Sequence, residues 1–405
     1  SFGAEFGDFV DESDAVPFTT AKPIPASRIS FVGRPAFDPL PFFDEETAKV
    51  YQFPLQCRLD DLRLEPPRVS VHACADERNL LFRAMADTGR LGFVDPSAVD
   101  RGLYAGLFGV PKDLDRDRLI LDSRPANCAE RVLTTWTKTM ASATCLGGIE
   151  LADGQILVMS GRDIRDFFYQ FLVSEERCRR NVLCPYLEKE DLEFIFRRSF
   201  SSGGYVGLNT LAMGDTNSCE FAQGAHMRLV LSCGGAQPHE LLQLKQPVPR
   251  GLLSVGIVID DLVCLEKVLE SYFDGNPETS STCSTERLGK IMAKYAEVGL
   301  PVNDKKSFDN ATLGSFWGVQ VDGKKGTVRP NESRMWPLVL VTLRVCSLGL
   351  VTIGLLRSMV GSYVSILCLR RRLMAGLNFV FDAIAASEND SQVLRLSGKL
   401  TDELF

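Results

Sequence analysis

The stretch L-L-S-V-G-I-V-I-D-D-L-V-C-L, Leu252 to Leu265, sets two adjacent carboxylates, Asp260 and Asp261, between two apolar runs. Runs of this length and content predict two short buried strands, with the aspartates where the chain turns. Carboxylates among Val, Ile and Leu are costly unless a cation holds them. In enzymes that move phosphoryl groups the usual cation is a pair of Mg²⁺ ions. Asp-Asp is also an ordinary turn dipeptide, because Asp bonds its own backbone and tolerates turn geometry. The rest of the chain has to decide between the two.

At 405 residues the chain is long enough for two or three subdomains with sizeable cores. Its 45% hydrophobic and 24% charged residues are those of a soluble globular protein. Twelve cysteines lie scattered, with no CxxC pair and no Cys/His cluster at zinc spacing. This pattern suits free thiols and an intracellular setting, cytoplasmic or nuclear, rather than secretion. Residue 1 is Ser, which suits a piece of a larger polyprotein, and no signal peptide opens the sequence.

The net charge of −7 argues against a uniformly basic nucleic-acid binder. Residues 1–66, however, hold 12 acids against 6 bases, so −6 belongs to that stretch. Basic clusters elsewhere include Arg177, Arg179 and Arg180, then Lys305 and Lys306, then Arg370, Arg371 and Arg372. A phosphate-binding groove needs clustered charge, not a high total. Singly, each cluster also reads as a solvated face.

Residues 1–66 are acidic and rich in Pro and Phe, which predicts an extended or partly ordered arm. Short helices are predicted at 79–85 and 96–104, and strands at 118–124 and 156–159. Further helices are predicted at 188–200, 216–232 and 286–298, the last stopped by Gly299. Strands flank the turn at Asp322-Gly323, and 334–385 reads as mostly helical. The apolar stretch 336–368 is cut by Arg344 and Arg357 into pieces of about a dozen residues, short of the ~20 a bilayer requires, so no membrane partner is expected.

Six features follow one another along the chain. A basic strand runs into D-S-R-P-A-N, Asp122 to Asn127. Asp163 is followed five residues later by Phe168. A Gly-x-x-x-Ser turn, Gly214 to Ser218, opens a helix. The Asp260–Asp261 hairpin comes next, then an amphipathic helix leading to Asn303 and Lys306, then F-W-G-V, Phe316 to Val319. Alone, Asp163 reads as a helix N-cap and Lys306 as an exposed lysine.

In this order the features resemble those of the reverse transcriptases of retroelements, over roughly residues 105–330. Asp163–Phe168 is similar to the family's D-x-x-x-x-[F/Y] element, Val258–Asp261 to its x-x-D-D box, Asn303–Lys306 to its N-x-x-K box and Phe316–Val319 to its primer grip. Arg118 with Asp122, Arg124 and Asn127 resembles its fingers element. The departures are Arg162 before the first aspartate, Met213 where Gln is common, Cys219 for Pro, and Val258 for Tyr.

The resemblance implies an α+β right-hand polymerase. An acidic extension covers 1–66, fingers and palm surround an antiparallel sheet at 67–330, and a helical thumb-like segment covers 331–405. It implies an RNA-directed DNA polymerase that adds deoxynucleoside triphosphates to a primer on an RNA or DNA template. Its ions are two Mg²⁺, with Mn²⁺ as a substitute. Their ligands are Asp163, Asp260 and Asp261, with the Ile164 carbonyl. Lys112, Arg118, Met213 and Gly214 line the nucleotide, Phe168 screens the sugar, and Lys306 donates a proton to pyrophosphate. Other polyprotein domains are further expected partners. The alternative is an inactive descendant of the fold that binds nucleic acid or serves as a scaffold.

Overall fold

A computed structural model describes residues 21–59, 65–99, 102–273, 282–387 and 389–404. At its centre is a five-stranded sheet in the order Phe308–Ala311, Gln155–Asp163, Asp261–Leu269, Leu253–Val258 and Leu241–Leu242. Every pairing is antiparallel except that of the short strand Leu241–Leu242. Neighbouring residues of a strand face opposite sides. Leu262 and Cys264 therefore join one core, and Val263 and Leu265 another. Burial on both faces explains why the run reads as continuously apolar rather than alternating.

The first core packs the sheet against the helices Ser218–Ser232 and Cys283–Glu297. Apolar positions at helical spacing, Phe221, Ala222, Ala225 and Leu229, then Leu288, Ile291 and Tyr295, face it. The second core lies under Ala141–Leu146 and the strands Val319–Asp322 and Thr327–Pro330. A separate core joins the hairpin Gly106–Pro111/Asp117–Asp122 to a three-stranded sheet, Leu91–Val94, Gly204–Leu208 and Val182–Leu187, with the helices Ala75–Asp87 and Lys189–Phe196.

Several expectations are corrected in detail. Of the acidic N-terminal stretch, residues 1–20 and 60–64 lie outside the described residues. The remainder is not a loose arm: Glu45–Gln52 is a helix capped by Asp44, and Phe37, Phe42, Phe43, Val50 and Tyr51 are buried in the main core. Pro25 and Pro39 open single 3₁₀ turns, Ala26–Arg28 and Leu40–Phe42, and do not prevent packing. Among the described residues of 96–104 only a single turn forms, Pro96–Ala98; residues 100 and 101 lie outside the described residues.

Beyond residue 331 the chain is mostly helical, as expected, with a core of its own built from Leu338, Val345, Leu356, Met359, Val380 and Leu400. The helical run there is longer than the arginine spacing suggested. It covers 33 residues, Ile353–Ala385, with a mean hydropathy of 1.3 in its most apolar window and 22% of that window buried. By length and composition it is long enough to cross a bilayer. Its backbone leaves helical geometry at Arg370, within a 3₁₀ stretch that also carries Arg371 and Arg372. The α-helical pieces on either side have 15 and 8 residues, each short of the ~20 required.

Candidate active site

The hairpin register brings the aspartates together. In the antiparallel pairing Asp163 lies directly opposite Asp261, both at strand ends. The Ile164 amide donates to the Asp260 carbonyl at 3.0 Å, tying the turn to the end of the neighbouring strand. The turn itself is two residues, Ile259 and Asp260, between the paired Val258 and Asp261. Ile259 has a φ of +56°. A positive φ at the first of two turn residues is the pattern of a II′ turn, a place usually given to glycine.

Asp163 is held from the other side by the segment after the Cys283–Glu297 helix. Asn303 Nδ2 donates to Asp163 Oδ1 at 3.0 Å, and Lys306 Nζ to Oδ2 at 2.7 Å. The Asn303 amide also donates to the Asp163 carbonyl, at 2.8 Å. The N-x-x-K spacing is thus explained: Asn303 accepts the Lys306 amide in a turn that aims both side chains at one carboxylate.

Three carboxylates face one lysine here, and the electrostatics show it. Burial and the nearby Asp163 push the Asp260 carboxyl up from its usual range. Burial, then the charges of Asp260 and Asp163, push Asp261 up to about 7, and a hydrogen bond to Asp163 adds to the shift. Burial works against the Lys306 ammonium, but its bond to Asp163 and the aspartate charges raise it overall. Among the described residues no three His, Cys, Asp or Glu side chains are gathered so as to hold a metal ion as they stand. The donor chemistry nonetheless fits a hard divalent cation: three oxygen anions, two of them resisting ionisation, and a lysine side chain 63% exposed that can swing away.

The expected nucleotide-side residues are placed as follows. Arg118, on the strand Asp117–Asp122, is close enough for its charge to act on Asp260. Lys112 lies 3.9 Å from Asp166, whose other carboxylate oxygen accepts the Val32 amide. Phe167 and Phe168 divide their roles: Phe167 is buried in the core, while Phe168 is half-buried at its edge. Ile164 is buried with its side chain in that same core. Met213 is half-buried, and its carbonyl accepts the Leu121 amide. Gly214 has a φ of +116°, and a Cβ there would lie 1.9 Å from the Leu121 carbonyl oxygen, so only glycine fits. Asn127 donates to the Gly214 carbonyl at 2.9 Å and accepts the Thr216 amide at 3.0 Å. Asp122 is paired with Arg124, its neighbour in the motif.

Arg162 stays out of the site. Strand alternation turns it away from Asp163, and it binds both carboxylate oxygens of Asp309 at the sheet edge. A hollow of about 520 Å³ lies there, lined by Arg162, Leu288, Met292 and Asp309, and it includes none of the three aspartates.

Sequence reading missed two groups of residues. The first is a buried ion network: Arg177 binds Asp215 at 2.7 Å and Glu130 at 3.2 Å, and Arg180 binds Glu130 at 2.7 Å. It fixes the turn that carries Gly214 and, through Arg177 to the Val50 and Tyr51 carbonyls, the end of the N-terminal helix. The Arg177 and Arg180 spacing read as a solvated face, and only the fold shows it closed. The second group, Gln223 and His226, lies on the Ser218–Ser232 helix against the aspartate turn.

No family model and no curated protein matches the chain. Solved structures do. A foamy viral protease–reverse transcriptase in complex with double-stranded DNA aligns over 85% of this chain and 58% of its own, at 12% identity and a TM-score of 0.52. A dRH form of that protein, also with double-stranded DNA, aligns over 87% of this chain and 50% of its own, at 12% identity and a TM-score of 0.54. The complex with an RNA/DNA hybrid aligns over 84% and 37%, at 14% identity and a TM-score of 0.52. The chain therefore spans about half the length of the solved structures it matches. At such identities the likeness concerns the fold alone: several sheets and helices in a reverse-transcriptase-like arrangement.

Proposed function

We propose that this chain is a template-directed DNA polymerase of the reverse-transcriptase type, adding deoxynucleotides to a primer 3′-hydroxyl. One observation carries the reading: the fold brings Asp163 to Asp260 and Asp261, almost a hundred residues further along the chain, at one end of the central sheet, where the Asp260 and Asp261 carboxyls are pushed up. Asp163, Asp260 and Asp261, with the Ile164 carbonyl, are the groups that would hold two Mg²⁺ ions, or Mn²⁺ in their place. Those ions would supply activation of the hydroxyl nucleophile and neutralisation of the phosphate charge.

The chain's own residues account for the rest. Lys112 and Arg118 bring cations to the side from which a triphosphate would enter. Gly214, exposed at the turn that packs against the Leu121 carbonyl, is with Met213 the proposed contact to the nucleotide. Phe168, half-buried five residues after Asp163, is the proposed steric screen against a 2′-hydroxyl. Lys306, bonded to Asp163, is the proposed proton donor to the leaving pyrophosphate. A primed RNA or DNA template and deoxynucleoside triphosphates are the proposed partners, with other domains of a longer polyprotein beside them and no membrane. An intracellular setting, cytoplasmic or nuclear, accords with twelve free cysteines.

Primer extension on RNA and DNA templates with Mg²⁺, compared between the native chain and Asp260→Ala/Asp261→Ala, tests the proposal. Extension that depends on both aspartates is expected. Binding of primer–template with no extension by the native chain would overturn it in favour of an inactive nucleic-acid-binding domain.

A further inference from the structure

Ile259 sits in a conformation its side chain resists. At a φ of +56° the Cβ of a β-branched residue crowds the neighbouring carbonyl, so the conformation is strained. Such a residue persists only where its surroundings over-determine it. Here the surroundings are specific. The Ile259 amide donates to Gln223 Oε1 at 2.8 Å, and the Ile259 carbonyl lies 2.6 Å from His226 Nδ1. Gln223 Nε2 in turn donates to the Ile257 carbonyl at 3.2 Å. Gln223 and His226 stand three residues apart on one helix and so share a face. Both are fully buried.

We propose that Gln223 and His226, backed by Tyr295, are positioning residues that hold the strained Ile259 turn and thereby aim Asp260 and Asp261 at Asp163. The inference rests on the polymerase reading, since aim matters only if the carboxylates act together. A carbonyl can only accept, so His226 Nδ1 carries the hydrogen. Its Nε2 is then an acceptor, and the Tyr295 hydroxyl, 2.5 Å away, donates to it. A chain of two hydrogen bonds thus runs from the Cys283–Glu297 helix through His226 to the residue before the aspartates. Burial pushes the His226 pKa down to about 4, so the imidazole keeps this neutral tautomer throughout an ordinary assay range. The Phe167 ring meets the His226 ring edge-on at 5.6 Å, so the histidine also braces the segment after Asp163. His226 thus touches segments on both sides of the aspartate site.

The bland alternative is a pair of satisfied core residues that contribute stability alone. Two conservative variants separate the readings. His226→Asn keeps a donor near the Nδ1 position and loses the Tyr295 contact. His226→Gln keeps an acceptor for Tyr295 and loses the donor to Ile259. Each variant gives up one buried hydrogen bond, so their melting temperatures should fall alike. Positioning predicts that only His226→Gln, like Gln223→Leu, loses about 10–100-fold in kcat and in Mn²⁺ affinity measured by electron paramagnetic resonance, with the KM for primer–template within about twofold. Adding Ile259→Gly, which adopts the positive φ without strain, should restore much of the loss in His226→Gln. Hydrogen exchange reads the turn without any activity: the Ile259 amide should open faster in His226→Gln and not in His226→Asn. Equal behaviour of the Asn and Gln variants in kcat, Mn²⁺ affinity and exchange would overturn the positioning role. Failure of the polymerase reading shows separately, as no extension by the native chain, and exchange at Ile259 then still decides whether the device holds the turn.

Discussion

Two clusters of charge among the described residues are built to opposite plans. Around Arg177 and Arg180 two cations meet two anions, Glu130 and Asp215, and all four side chains are at most 2% exposed. Asn217, Ser123 and Asn127 satisfy further donors and acceptors. Around Asp163 three carboxylates meet one lysine, and that lysine reaches in from solvent. The first cluster is closed and balanced, as structural charge in a core must be. The second carries surplus anionic charge, held in place by backbone register and buried hydrogen bonds. Balance suits charge that supports the fold, and a surplus of carboxylates is what the proposed cation site requires.

The largest expected effect separates the two clusters by what each loses. Asp163→Asn keeps the side-chain shape and its contact with Asn303 but removes one anion. Primer extension should fall on the order of a thousandfold or more, since each such charge supplies several kcal/mol in the reaction. The melting temperature should stay the same or rise. Arg177→Met should do the reverse. Removing one partner leaves Glu130 and Asp215 buried beside a lost cation, at a cost of about 3–5 kcal/mol of stability. Chemical denaturation of both variants, alongside single-turnover extension, checks the contrast. A large stability loss in Asp163→Asn would break it.

The two clusters also differ in how far the sequence showed them. Asp260, Asp261 and Asp163 were legible because a carboxylate inside an apolar run contradicts its setting, and strand periodicity then places it at a turn. The Asn303–Lys306 spacing was legible as a motif, although that both side chains grip Asp163 was not. The Arg177 network was illegible. Its members come from positions 130, 177, 180 and 215, each an ordinary polar residue beside a helix end, and only the tertiary fold makes them neighbours. His226 and Gln223 were hidden for the same reason. A polar residue on a helix is unremarkable until the strand beneath it needs a hydrogen bond. The N-terminal stretch misled in the other direction, because a high proline content obscured the aromatic residues that bury it.

A smaller effect sharpens the division within the Phe167–Phe168 pair. Phe167 is 2% exposed and meets Phe171 and His226 edge-on, whereas Phe168 is half-buried. Phe168→Ala should relax discrimination against ribonucleotides by about tenfold, the scale on which a pocket distinguishes small steric differences. Phe167→Ala should lower stability by about 3–5 kcal/mol and leave the sugar preference unchanged. Competition between deoxynucleotides and ribonucleotides in primer extension checks both. An unchanged preference in Phe168→Ala would end its role as a screen.

The smallest effect is a pH dependence, and its sign follows from the surplus of carboxylates. Asp261 in the folded chain titrates near 7, while an unfolded aspartate titrates near 3.8. Between those values the folded chain binds more protons than the unfolded one, so stability falls as pH rises. Above about 7 the loss is complete and the slope flattens. Asp260, also raised, adds to the slope in the same direction. Carboxylates with lowered pKa values, such as Asp44 and Asp122, act oppositely, but mainly below the ordinary aspartate range. The useful quantity is therefore the difference between the native chain and Asp261→Asn. In chelator, Asp261→Asn should show a flatter loss of melting temperature from pH 5 to pH 8 and should be the more stable of the two at pH 8. Mn²⁺ should reverse the order at pH 8, because a cation rewards the deprotonated form that the native chain alone provides there. The same titration on Glu130→Gln should show no such reversal, since its cluster has no anion to spare. Parallel pH profiles for the native chain and Asp261→Asn would show that the two clusters are alike, and that the surplus charge at the end of the sheet is spread into solvent rather than stored.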